Sequence, residues 1–277
     1  MDASSVSALA EFVARHERLF VLTGAGCSTD SGIPDYRDAD GRWKRTPPID
    51  FQAFMGSGLA RSRYWARSMV GWRRFGKAGP NDAHRALARL EAAGKVGLLV
   101  TQNVDGLHQA AGSRAVVDLH GRLDEVRCME CAHREARAGF QQRMEAMNPG
   151  WVALEAADAP DGDADLEVAD FSRFAVPPCP ACGGILKPDV VFFGEQVPAT
   201  RVATVLRALE AADAILVVGS SLMVHSGYRY VRAGAAAGLP VAAVNVGRTR
   251  ADDLLSLKVA QPCAQALAFM LEDRAAA

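Results

Sequence analysis

Arg18-Leu19-Phe20-Val21-Leu22 runs straight into Thr23-Gly24-Ala25-Gly26-Cys27-Ser28. An apolar run of strand length that stops at a glycine-rich turn predicts a buried strand feeding a tight turn. Four further runs share this form. Val96 to Val100 precedes Thr101-Gln102-Asn103-Val104-Asp105, and Ala115 to Leu119 precedes His120-Gly121. Ala214 to Val218 precedes Gly219-Ser220-Ser221, and Val241 to Val244 precedes Asn245-Val246-Gly247. Helical patterns lie between some of them. Pro80-Asn81-Asp82 caps one that continues through Leu87 and Leu90 and stops near Gly94, while Thr200 to Ala211 repeats apolar residues at helical spacing. Near-continuous Val/Leu/Ile runs alternating with helices predict a parallel sheet covered on both faces, a doubly wound, Rossmann-like α/β fold. Open parallel sheets bind ligands at the carboxyl ends of their strands, so the five polar clusters are expected to converge on one crevice.

Two segments interrupt the alternation: Asp38 to Gly79, rich in Arg, Trp and Phe, and Leu123 to Lys187, which carries four paired cysteines. The expected division is a Rossmann-like domain over 1–37, 80–122 and 188–277, a loop and helical module over 38–79, and a smaller zinc-ribbon module over 123–187. Within that module, Glu155 to Asp170 holds seven acidic residues and no basic one around Pro160 and Gly162, which predicts a mobile loop. With 277 residues, 49% of them hydrophobic, the chain can bury a large core, which excludes a disulfide-stapled module and a disordered chain. Thirty-one basic against 32 acidic residues leave a formal charge of -1, so no direct nucleic acid binding and no attachment to anionic lipid is expected. No apolar stretch approaches the roughly 20 residues of a membrane span. Asp2 and Glu11 sit where an export signal would be apolar, so a cytoplasmic protein is expected.

Cys128-x-x-Cys131 and Cys179-x-x-Cys182 stand 47 residues apart. Two such knuckles match a closed tetrahedral site for one structural zinc ion per chain, the other reading being redox-active or unligated cysteines. Gly24-x-Gly26 lets backbone approach a pyrophosphate, with free amides of a helix start pointing at the anion. The next glycine is Gly32, and Lys44 and Arg45 stand where a dehydrogenase would hold a ribose with an acidic residue. His120, between a strand and Gly121, is placed to act as a general base, or else is a satisfied structural histidine. Asn103 and Asp105, after Gln102, suit the orientation of a carboxamide-bearing ring, and Ser220, Ser221 and Asn245 suit ribose. Local loop capping is the plainer role for these residues.

Together these residues resemble the sirtuin family of NAD-dependent protein lysine deacylases. The matching strings are Gly24-Ala25-Gly26-Cys27-Ser28, Gly32-Ile33-Pro34-Asp35-Tyr36-Arg37, Thr101 through His108, Leu119-His120-Gly121, both cysteine pairs, Lys187 through Glu195, Gly219-Ser220-Ser221-Leu222 and Asn245-Val246-Gly247. Arg63-Tyr64-Trp65-Ala66-Arg67, the acidic insertion and Ser226-Gly227-Tyr228-Arg229-Tyr230 look like the class II branch. The resemblance implies that an acyl-lysine carbonyl oxygen attacks the nicotinamide ribose of NAD and that His120 helps deprotonate a ribose hydroxyl. Free lysine, nicotinamide and O-acyl-ADP-ribose would be the products, with NAD consumed as a co-substrate. It also implies that Asn103 and Asp105 hold the nicotinamide carboxamide beside Ile33, and that Gly24, Ala25, Gly26 and Ser28 line the phosphates. Asp35 and Arg37 belong to the cofactor loop, and Gln102, Gly219, Ser220, Ser221, Asn245, Val246, Gly247 and Cys263 to the dinucleotide's surroundings. Val190, Val191, Phe192 and Gly194 are expected to pair with an extended peptide bearing the acyl-lysine. Tyr64 and Arg67 have the Tyr-x-x-Arg spacing that desuccinylating sirtuins use for an acyl carboxylate, unless both simply pack and cap their helix.

The competing classes make different products. A dehydrogenase would accumulate NADH, a mono-ADP-ribosyltransferase would leave ADP-ribose on a target protein, and a non-catalytic NAD-binding or zinc-ribbon module would turn over nothing.

Overall fold

In the computed structural model, residues 3–44, 48–154, 157–158, 164–166 and 170–272 are described. The chain runs through α1 (Ala3–Arg15), β1 (Leu19–Thr23), α2 (Phe51–Gly56), α3 (Gly58–Phe75), α4 (Asp82–Ala92), β2 (Val96–Thr101), α5 (Leu107–Ala110) and β3 (Val116–Asp118). There follow β4 (Gly121–Cys128), β5 (Arg134–Ala136), α6 (Arg137–Met147), α7 (Pro149–Val152), β6 (Ala157–Asp158), β7 (Ala164–Asp165) and β8 (Leu186–Val190). The last elements are α8 (Ala199–Glu210), β9 (Ala214–Val218), α9 (His225–Ala236), β10 (Val241–Val244), β11 (Leu257–Val259) and α10 (Cys263–Ala266). They form two compact units, one of residues 1–45, 79–119 and 197–277, the other of 46–78 and 120–196.

The larger unit is a six-stranded sheet in the order β11-β10-β9-β1-β2-β3, and every pairing is parallel. Successive side chains of a strand point to opposite faces, and both faces are apolar here. Leu19 and Val21 join Leu9, Leu87, Leu216 and Leu267 on one side, while Phe20 and Leu22 join Val205, Ile215, Val217 and Tyr230 on the other. Full burial of each large aliphatic side chain is worth about 1.5–3 kcal/mol, so the central strands, 0% exposed along β1 and β9, anchor the unit. The side chain of Asn81 caps α4 by accepting from the Ala83 and His84 amides. The chain leaves that helix through Gly94, whose φ of +78° a side chain would disfavour.

The smaller unit has an antiparallel sheet in the order β5-β4-β8 against α3 and α6. Residues 120–122 and 188–196, expected with the Rossmann-like domain, belong to this unit because β8 pairs with β4, while 38–44, expected with the helical module, belong to the larger unit. Its core is aromatic: Trp65 and Phe140 are fully buried and their ring centres lie 4.6 Å apart. Arg137, 1% exposed, threads between the Trp65 and Trp72 rings and donates to Gln141 Oε1 at 2.7 Å, and burial pushes its guanidinium down to about 10. Within the acidic stretch expected to be a mobile loop, β6 and β7 pair as a short ribbon, and Ala164 and Leu166 are buried near Val70. The remainder of that stretch up to residue 169, like Arg45, lies outside the described residues.

Candidate functional site

Four of the five strand-end clusters belong to the larger unit, and hydrogen bonds join three of them. Ser28 Oγ donates to Asp105 Oδ2 at 2.7 Å and accepts from Asn103 Nδ2 at 3.0 Å, so the turn after β1 and the loop after β2 share one polar knot. Asn103 Nδ2 also reaches the Gly24 carbonyl at 3.1 Å, and Asp105 Oδ1 accepts from the Leu107 amide that opens α5. Gln102 Nε2 donates to Ser220 Oγ at 2.8 Å, which ties in the turn after β9. After β10, Asn245 Nδ2 donates to the Gly247 carbonyl at 3.0 Å, and Val246 stands 64% exposed beside it.

The glycines of these turns serve close packing. A Cβ on Gly219, whose φ is +63°, would lie 2.2 Å from the Cys27 nitrogen. The expectation that free amides of a helix start point outward from this turn is corrected. The chain after β1 makes two single 3-10 turns, and the amides of Gly24, Gly26, Cys27 and Ser28 are taken by Val218, Gly219, Gly24 and Ala25 carbonyls. What remains for a dinucleotide is close backbone approach and polar side chains at the carboxyl end of the sheet, a donor set that fits its ribose, amide and phosphate groups.

The cofactor loop carries its own scaffold. Arg37 lies over the Trp43 ring, 4.0 Å from its centre, and donates to the Gly41 carbonyl, while Asp35 pairs with Lys44. Ile33 is 6% exposed, and its amide donates to the Ser28 carbonyl. Ser221 accepts through its carbonyl from the Arg250 amide. Cys263 is buried, which pushes its thiol up to about 12.

Two residues at the floor of the polar knot were not foreseen, His84 and His108, both 0% exposed. His84 Nδ1 accepts from the Asn81 amide at 3.3 Å, and His108 Nε2 lies 2.9 Å from Thr23 Oγ1. The signal for His84 lay in the helix start, because its side chain completes a capping box with Asn81.

In the smaller unit, His120 accepts through its carbonyl from the Val191 amide at 2.7 Å. Gly121 follows with φ +84°, and a Cβ there would fall 1.9 Å from the Asp189 carbonyl oxygen, so only glycine lets β8 close on the residue after the histidine. Val190 ends the edge strand β8, Phe192 is buried at 8% exposure, and the Phe193 carbonyl accepts from the Phe51 amide at 2.8 Å. Gly194, with φ +79°, turns the chain so that the Glu195 carboxylate returns to the Phe192 amide at 3.0 Å. Tyr64 is 9% exposed and packs edge-on to Phe54 at 5.5 Å and to Trp65 at 5.2 Å. Arg67 stands one turn further along α3.

The four paired cysteines come together as expected. Cys128 and Cys182 sulfurs are 3.5 Å apart, Cys131 and Cys179 sulfurs 3.7 Å, and all four lie within 4.8 Å of one another. A tetrahedron of Zn–S bonds of about 2.3 Å has edges of about 3.8 Å, so the donor set fits a closed structural zinc ion.

A family model described as the Sir2 family matches residues 24–226. An NAD-dependent protein deacetylase of Bordetella bronchiseptica is 69% identical over 96% of this chain and 97% of its own length. The human mitochondrial NAD-dependent protein lipoamidase sirtuin-4 is 47% identical over 96% of this chain and 86% of its own. A solved Sir2 structure with a deacetylated p53 peptide and 3'-O-acetyl ADP ribose superposes with a TM-score of 0.78 at 27% identity, covering 98% of both chains. With the matched family model and a relative at that identity, the chain belongs to the Sir2 family, the sirtuins.

Proposed function

We propose that this sirtuin is an NAD-dependent protein lysine deacylase that releases nicotinamide and O-acyl-ADP-ribose. The observation that carries this reading is 69% identity, over nearly the whole chain, to a relative named as a deacetylase. The polar cluster of Ser28, Asn103 and Asp105 supports it. NAD supplies an electrophilic ribose carbon and a leaving group, and it is not reduced. In this reading Asn103 and Asp105 hold the carboxamide, Ser220, Ser221 and Asn245 orient the ribose hydroxyls, and His120 takes a proton from a ribose hydroxyl. The edge strand ending at Val190 accepts the peptide by backbone pairing, which makes sequence preference loose. The substrates are acylated lysine side chains of proteins. The described residues contain no helix long and apolar enough to cross a membrane, and the free thiols fit the reducing cytoplasm where we place the chain.

Mass spectrometry of the purified chain with NAD and acetyl, succinyl, methylglutaryl and lipoyl lysine peptides tests the reaction and the acyl preference together. Free lysine peptide with O-acyl-ADP-ribose is expected; NADH, or ADP-ribose left on protein, would replace the reading by a dehydrogenase or a transferase. His120→Ala is expected to lower turnover at least about 100-fold, the ordinary worth of a positioned base. Arg67 makes acidic acyl chains acceptable, so Arg67→Met is expected to cost succinyl turnover about tenfold or more while sparing acetyl turnover. Unchanged succinyl turnover would remove the arginine's role, and turnover confined to lipoyl peptide would align the chain with the human relative's named activity.

A further inference from the structure

Cys27, His84 and His108 form a second cluster of metal-binding side chains in the larger unit. They come from the turn after β1, the first turn of α4 and the short α5, and are 1%, 0% and 0% exposed. One donor atom from each lies within 4.8 Å of the others, and the two imidazole centres are 4.8 Å apart. Edges of about 3.5–4.0 Å join donors around a three-coordinate ion with bonds of about 2.0–2.3 Å, so a contraction of at most about 1 Å completes the site. His108 Nδ1 is buried without a hydrogen-bond partner, which is costly for a polar atom unless something else occupies it. Burial pushes both imidazoles down and the Cys27 thiol up, so the histidines stand in their neutral, ligating form.

The donor set selects the ion. Three ligands of which one is a thiol, all buried from solvent, favour a soft ion content with low coordination. When such an ion enters, the sulfur–proton bond of Cys27 breaks, a metal–sulfur bond forms and the proton leaves to solvent. A monocation therefore leaves the buried charge unchanged, whereas a dication adds one charge that the pocket must accommodate. The Asp105 carboxylate is already engaged by Ser28 and Leu107.

We propose that Cys27, His84 and His108 bind one cuprous ion, held by one thiolate and two imidazoles, and that this occupancy weakens NAD binding. The ion is placed on His84 Nε2, the nitrogen 3.4 Å from Ser28 Oγ; without it, Nδ1 accepts from the Asn81 amide. Copper then moves the ring proton to Nδ1, breaks the bond from Asn81 and detaches His84 from the Ser28–Asp105–Asn103 knot. The effect on NAD, though not the metal site itself, rests on the deacylase reading.

The test is anaerobic titration of the zinc-loaded full chain with cuprous ion against a coloured chelator, in the native protein and in Cys27→Ala, with zinc content measured in parallel. The native chain is expected to take up one more equivalent than the variant, with an X-ray absorption signature of one sulfur and two nitrogens. Equal uptake by both overturns the site, as does Cys27-dependent uptake of zinc in place of copper. Should Cys27→Ala lose its zinc or its circular dichroism, Cys27→Val carries the same comparison. Copper is expected to weaken NAD binding at least fivefold in the native chain and to leave Cys27→Ala unaffected; unchanged NAD affinity at full occupancy overturns the coupling. Failure of every form to bind NAD would count against the deacylase reading, while copper uptake would still decide the metal site.

Discussion

At the scale of single residues, Lys187 shows how far burial can move a charge. It is fully buried, with Nζ 3.0 Å from Glu195 and 4.4 Å from the centre of the Phe192 ring. Desolvation outweighs the Glu195 carboxylate and pushes the ammonium down to about 8. An unfolded lysine titrates near 10.4, so between these values the unfolded chain holds the extra proton and stability rises with pH. Lysine's contribution is therefore complete above the unfolded value and lost as pH falls through about 8. Urea denaturation is expected to show the native chain gaining about 2 kcal/mol on Lys187→Met between pH 7.5 and 10. In that variant Glu195 keeps Arg127 at 2.8 Å, and parallel pH profiles of the two proteins would contradict the account.

At the scale of elements, the start of α4 is the most heavily used joint. Asn81 accepts two amide bonds through Oδ1, and its Nδ2 donates to the Cys27 carbonyl at 2.9 Å and to Ser31 Oγ at 3.0 Å. As a helix cap Asp ranks with Asn, yet Asn81→Asp would set an oxygen against the Cys27 carbonyl. A loss of about 2 kcal/mol is expected in thermal or urea unfolding, and an unchanged midpoint would show that the Nδ2 bonds carry nothing. Much of this level was legible in the residues. The runs Ala214 to Val218 and Val241 to Val244 became strands with those bounds, and the cap at Asn81 was read from its neighbours. The edge strand β11 was not, because Leu257-Lys258-Val259 is too short to show a period. His84 and His108 stayed hidden because helical spacing does not tell a buried imidazole from an exposed one. The amides of Gly24 and Gly26 were misjudged because their partners, Val218 and Gly219, lie almost two hundred residues away along the chain.

At the scale of the whole molecule, the zinc site and the sheet make separate demands. Structural zinc contributes on the order of 10 kcal/mol to the fold that encloses it, and Cys128 and Cys179 both pack in the aromatic core of the smaller unit. Cys179→Ser, or a strong chelator, is expected to shift tryptophan emission to the red, since Trp65, Trp72 and Trp151 all belong to that unit. Persistence of the native spectrum after zinc loss would show that the core closes unaided. The larger unit depends on distance along the chain. Its central strand β1 pairs with β9 in register from Leu19↔Ala214 onward, and the neighbouring contact of Arg18 with Asp213 spans 195 residues. At roughly 5–20 residues per second, the ribosome delivers that partner on the order of ten to forty seconds after the strand that needs it. During this wait a largely apolar ribbon has no neighbour on one side, so newborn chains should be the moment of greatest dependence on chaperones, and a slowed ribosome should raise aggregation without altering the finished enzyme.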